Sequence, residues 1–167
     1  RDDEYGGDLE GRTRFAREVL RAVRRRVGDD FTMGIRIVAN EFHPAGLDSA
    51  AMRAVIARLR DEVRIDFLDL AAGGYHNVHY VFPSSPMPYA WLRDDVAGVK
   101  AANPDVPVFG VGAALAVEEA EDVIRSGIAD MVALTRAQIA DPDLGRKLRG
   151  GSDGGIRHCI RLNQGCL

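Results

Sequence analysis

Arg36 is the first residue of this sequence that demands a partner. It lies inside Thr32-Met33-Gly34-Ile35-Arg36-Ile37-Val38, an apolar run that reads as a buried strand. A cation in such a strand costs several kcal/mol unless it is paired. Its partner is either an internal carboxylate, with Asp66 and Asp69 as candidates, or a bound anion. Three of the four histidines fall in loops that follow apolar runs: His43 in one, His76 and His79 beside Tyr75 and Tyr80 in the next. Such loops carry binding groups, although His and Tyr are also ordinary surface residues. Gly112 lets backbone approach a ligand closely. Thr135-Arg136 opens a helix, and backbone N–H groups with an Arg beside them suit a phosphate. Near the end, His158, Cys159 and Cys166 place two thiols and an imidazole within nine residues. Those donors suit a metal, but C-x6-C is not a common zinc spacing.

The elements that must position these groups alternate between helix and strand. Asp8 caps a helix from Leu9 to Val27, whose apolar face is Leu9, Phe15, Val19, Leu20, Val23 and Val27. The strand of Arg36 follows. Asp48 caps a second helix to about Val63, and Phe67–Ala71 is a second strand. A Gly/Pro/Ser-rich loop fills 72–88. Then come a helix from Tyr89 to Ala102, a strand from Val106 to Val111, a helix from Ala116 to Ser126 and a strand from Met131 to Leu134. A helix from Arg136 to Leu148 breaks at Asp141-Pro142, and an irregular tail carrying five glycines ends the chain. No hairpin signal occurs, and strands joined only by helices run parallel. The fold class is therefore α/β, either a small open sheet or part of a (β/α)8 barrel. Strands begin roughly 25 to 40 residues apart, as barrel repeats do, and a full barrel takes about 250 residues. In both architectures ligands bind at the C-terminal ends of the strands.

Composition sets outer bounds. The 167 residues are 46% hydrophobic and 28% charged, an ordinary globular balance. Apolar runs are too short to span a bilayer. A net charge of -3 argues against nucleic acid or an anionic membrane as the main partner. Both cysteines lie in the last nine residues, which points to a local site in a reducing, cytoplasmic setting rather than a disulfide framework.

Several segments carry a family resemblance. The stretch Arg1-Asp2-Asp3-Glu4-Tyr5-Gly6-Gly7-Asp8-Leu9-Glu10-Gly11-Arg12-Thr13-Arg14-Phe15 resembles R-T-D-E-Y-G-G-S-x-E-N-R-x-R-F of the old yellow enzyme family of FMN-dependent oxidoreductases, departing at Asp2, Asp8 and Gly11. Pro107–Gly112 resembles the family's seventh barrel strand, and Ala129–Pro142 its eighth strand and following turn. Cys159-Ile160-Arg161-Leu162-Asn163-Gln164-Gly165-Cys166 is similar to C-I-G-C-N-Q-x-C of the bacterial iron–sulfur branch, which includes trimethylamine dehydrogenase and dienoyl-CoA reductase.

The resemblance implies a (β/α)8 TIM barrel, of which residues 1–149 are the second half, strands five to eight, and 150–167 the start of an iron–sulfur segment. It implies FMN as cofactor, NAD(P)H as electron donor and a small-molecule substrate. Arg36 would face the flavin N1 and C2 carbonyl. Gly112, Ala113, Thr135 and Arg136 would form the phosphate cradle, with Ala113 replacing the usual Arg and Thr135 the commoner Gly. Tyr75, His76 and His79 would line the substrate pocket. Cys159 and Cys166 would serve a four-iron four-sulfur cluster in which Leu162 replaces the second ligand. The catalytic residues would precede Arg1, in a missing N-terminal half-barrel. A remaining cluster ligand and a nucleotide-binding domain would follow Leu167, and a homo-oligomer is compatible with this organisation. The chain then reads as part of an amine dehydrogenase or enoate/dienoyl reductase, inactive alone. The alternative is a non-catalytic, phosphate-binding half-barrel, or a degenerate remnant that acts only in assembly.

Overall fold

A computed structural model describes residues 2–87, 91–112, 116–150 and 155–165. Helix α1 spans Leu9–Val27, and the Asp8 carboxylate caps it by accepting from the Gly11 N–H at 2.9 Å. Arg24, Arg25 and Arg26 occupy its last turn, where cations complement the helix dipole. Strand β1 is Gly34–Val38, α2 is Ser49–Arg60 with Asp48 as cap, and β2 is Phe67–Ala71. A 3-10 turn at Tyr75–Asn77 leads into the short helix α3, Val78–Val81. Then come α4 (Arg93–Ala102), β3 (Val108–Gly110), α5 (Val117–Arg125), β4 (Met131–Val132), α6 (Thr135–Ala140) and α7 (Leu144–Arg149).

The four strands form one parallel sheet in sequential order, β1-β2-β3-β4. These are four successive β/α units of the barrel type. The register assigns the two faces. Leu68 and Leu70 of β2 and Val108 of β3 are fully buried in a core shared with Ile56 and Leu59 of α2 and Val96 and Val99 of α4. The opposite face carries a row set by direct pairing: Arg36 beside Asp69, Asp69 beside Phe109, Phe109 beside Met131. This face is open, with Arg36 61% exposed and Met131 40% exposed. The strand of Arg36 is therefore not buried on both sides.

Several elements differ from their sequence-based bounds: β1 and β4 are shorter than expected, and α2 ends at Arg60. The ladder of β3 is three residues, because Pro107 has no N–H to donate and Gly112 leaves the sheet with φ 144. Among the described residues, α4 begins at Arg93, and residues 88–90 lie outside the description. The 72–88 loop holds a 3-10 turn and α3, which it owes to Asn77. The buried Asn77 accepts from the Gly74 N–H at 2.7 Å and donates to the Glu41 and Phe42 carbonyls at 2.7 and 2.9 Å. It ties the loop after β2 to the loop after β1. Gly73 permits this turn with φ 68, and a Cβ there would stand 2.8 Å from the Tyr80 Cβ.

At the N-terminal strand ends, Asp66 accepts from the Met33 N–H at 2.8 Å and from Arg24 at 2.9 Å. The backbone donor first, and the guanidinium second, hold its carboxyl down at about 2. A polar cleft of about 510 Å³ at this end is lined by Arg60, Arg64, Asp66 and Asp105. Each of these is already in an ion pair, so this end serves stability.

Candidate ligand cleft at the C-terminal strand ends

A second cleft of about 610 Å³ opens at the C-terminal ends of the strands. That volume suits a cofactor-sized ligand. Arg36 reaches it from β1, Val111 and Gly112 from the end of β3, and Thr135 and Arg136 from the start of α6. One wall is Tyr80–Pro83 with Trp91. Tyr80 stacks on Phe42 at 4.4 Å and 17°, and Trp91 packs on both rings at 5.2–5.4 Å. Gly165 of the tail completes the lining.

The two arginines are held differently. Arg36 donates from Nη1 to the Asp69 carboxylate at 2.8 Å, so of its two anticipated carboxylates the neighbouring-strand one is engaged. Arg136 donates from Nη1 to the Pro83 carbonyl at 2.6 Å and to Asn163 Oδ1 at 2.8 Å. Its Nε and Nη2 have no partner among the described residues and remain available to an anion. The indole Nε1 of Trp91 is buried and has no acceptor among the described residues. Orphaned donors around a cleft are what a ligand rich in oxygen acceptors satisfies.

The sequence-selected residues divide accordingly. Arg36, Gly112, Thr135 and Arg136 come together in this cleft. Ala113 and Cys166 lie outside the described residues. Tyr75 is 99% exposed, and His76 and His79 are also exposed; none of the three lines the cleft. His76 lies against His43 at 5.6 Å and His79 against Tyr80 at 4.3 Å. Pro83, Trp91 and Asn163 join the site although no sequence motif singles them out. Asn163 carries no local signal, because its partners Arg136 and the Phe82 carbonyl lie far off in sequence.

The tail reaches the cleft from an anchor at Asp141. This fully buried carboxylate accepts from Lys147 Nζ at 2.5 Å, from the Arg157 N–H at 3.0 Å and from the Asp143 N–H at 3.1 Å. The Lys147 ammonium first, and the Arg157 amide next, bring its carboxyl down to about 2. A depressed carboxyl gives stability that is whole above the ordinary carboxylate pKa and drains as pH falls through the folded value. The Arg157 amide resonance is therefore expected to hold its position from pH 6 to 4 and to move with a midpoint near 2. A midpoint near 4 contradicts the anchor.

Further along, the Cys159 thiol accepts weakly from the Arg161 N–H at 3.4 Å. Leu162 is 61% exposed. Among the described residues no three His, Cys, Asp or Glu side chains converge as a metal site. A four-iron cluster takes four thiolates, and these 167 residues hold two. Of the two, Cys159 is described and Cys166 lies outside the described residues.

A parallel sheet of four successive β/α units, with a largely apolar cleft carrying Arg36 and Arg136 at the C-terminal strand ends, is the arrangement of part of a (β/α)8 barrel. The chain belongs to the NADH:flavin oxidoreductase / NADH oxidase family, which matches residues 1–153. It is 36% identical over 166 residues to N,N-dimethylglycine/sarcosine dehydrogenase of Chromohalobacter salexigens, covering 98% of this chain and 24% of that protein. It is 34% identical to NADH oxidase of Thermoanaerobacter brockii, covering 100% of this chain and 25% of that protein. A solved complex of 2-naphthoyl-CoA reductase superimposes with a TM-score of 0.91 at 27% identity, over 99% of this chain and 25% of that one. The chain thus spans about a quarter of the length of these relatives. Among the described residues no helix is long and apolar enough to cross a membrane.

Proposed function

We propose that this chain supplies the phosphate-binding and flavin-facing side of an FMN site in a flavin-dependent oxidoreductase. The observation that carries the reading is the convergence of Arg36, Gly112, Thr135 and Arg136 on one cleft, with Arg136 keeping two donor nitrogens free among the described residues. Family membership and relatives named as dehydrogenases, oxidases and reductases support it. Residues 1–149 act as four of eight barrel units, and 150–167 as a segment that docks on them. Four more β/α units would close the barrel around the cleft.

Bound FMN would supply two-electron acceptance, with NAD(P)H or an amine as donor and a small molecule as substrate. Arg136 would hold the phosphate through a charge-assisted pair of hydrogen bonds. Gly112, with φ 144 and no Cβ, allows backbone to approach that phosphate. Tyr80 and Trp91 exclude water from one side of the cleft. Arg36 sets the charge at the inner end, and its Asp69 partner fixes the direction of its side chain.

The test is electrochemical. Arg36→Ala removes a cation and leaves Asp69 unpaired, so both changes disfavour negative charge on the ring. The two-electron reduction potential of flavin in the full-length protein is expected to fall by about 30 mV for each 1.4 kcal/mol of lost stabilisation, while FMN stays bound. An unchanged potential removes Arg36 from the flavin.

A further inference from the structure

We propose that Asn163 is a positioning residue for Arg136 and that it couples the docked tail to phosphate recognition in the cleft; this rests on the phosphate reading above. Asn163 Oδ1 accepts from Arg136 Nη1 at 2.8 Å, and its Nδ2 donates to the Phe82 carbonyl at 2.7 Å. The same Nη1 donates to the Pro83 carbonyl next along the chain. Asn163 therefore bridges the guanidinium to the wall against which it lies. Both oxygens take the same nitrogen, so Nε and Nη2 stay unengaged among the described residues. A planar guanidinium fixed at one nitrogen presents its remaining edge in a set direction, which shortens the search for a bidentate geometry.

The backbone around Asn163 is committed to this contact. Asn163 has φ 58, in the left-handed region that Asn tolerates better than most residues. Arg161, two residues earlier, has φ 56. The Arg161 carbonyl accepts from the Ser85 N–H at 3.0 Å, and its Nη1 donates to the Met87 carbonyl at 2.9 Å. The tail is thus fastened to the 82–87 wall at Arg161 and to Arg136 at Asn163. A ligand that engages Arg136 favours the docked tail, and by linkage the docked tail favours that ligand.

Asn163→Gly keeps the left-handed backbone and deletes both side-chain hydrogen bonds. Asn163→Asp keeps the acceptor but sets a carboxylate against Arg136 and loses the donor to Phe82. The experiment titrates the full-length protein, freed of flavin, with FMN and with riboflavin, which lacks the phosphate. Both variants are expected to lose about tenfold in FMN affinity and less than twofold in riboflavin affinity. Hydrogen exchange at residues 156–165 is expected to slow on adding FMN in the parent and to change little in Asn163→Gly. A purely structural role would weaken both ligands equally, and that result overturns the proposal. An unchanged FMN preference in both variants, with the preference lost in Arg136→Ala, also overturns it and leaves the phosphate reading standing. A parent protein that does not prefer FMN to riboflavin removes that reading and the proposal together.

Discussion

Arg136→Ala is expected to weaken FMN binding by about 2–4 kcal/mol, the usual cost of losing a charge-assisted contact with a phosphate. Three observations set the size of the effect. The guanidinium is already oriented by Pro83 and Asn163, so little ordering entropy is lost when it meets a ligand. Ala113 lies where the resemblance expects a second Arg, which leaves Arg136 to carry more of the charge. The tail fastened to Arg136 also lines the same cleft through Gly165. Riboflavin affinity should change by much less. Fluorescence titration of the full-length variant checks both numbers, and a loss below about 0.5 kcal/mol, within the range of an ordinary surface substitution, contradicts the phosphate role.

Leu68→Ala is expected to cost about 2–5 kcal/mol of stability without changing the preference of the folded protein for FMN over riboflavin. Leu68 is fully buried at the centre of the sheet, in register with Ile35 on one side and Val108 on the other. Its backbone N–H donates to the Pro107 carbonyl, so the strands on either side limit collapse into the space left behind. Against a typical total of about 5–15 kcal/mol, such a loss is severe. Urea unfolding measures it. A cost below about 1 kcal/mol would mean that the helix-facing layer of the sheet is not the core.

The contrast between these two residues bears on what the sequence makes legible. Leu68 belongs to a core that local pattern announces. The cap at Asp8 likewise marks the start of α1, but the apolar spacing of that helix misleads: Phe15, Val19, Val23 and Val27 are exposed, and of the expected face Leu20 is the residue that is buried, beside Gly11, Thr13 and Arg17. The convergence of Gly112 and Thr135-Arg136 on one cleft was legible, like the core, from local pattern: each sits where a strand stops. Arg36 was harder. An apolar run around one cation looks buried on both faces, and only the pairing with Asp69 and the open row of Phe109 and Met131 shows which face is free. The loop after β2 reaches the cleft through Tyr80, not through the expected Tyr75, His76 and His79. Asn77, reaching back to the Glu41 and Phe42 carbonyls, turns Tyr75 outward and brings Tyr80 to the cleft. That bond spans more than thirty residues of chain and leaves no local signature. Asn163 was hidden for the same reason, since both its partners lie far off in sequence.

If this cleft is one side of an FMN site, as proposed, the full-length protein carries flavin. The most direct measurement is the absorbance spectrum of the purified full-length protein, followed by identification of the chromophore released on denaturation. The expected result is a flavin spectrum and about one FMN per chain. A colourless protein that takes up no FMN on reconstitution would contradict it.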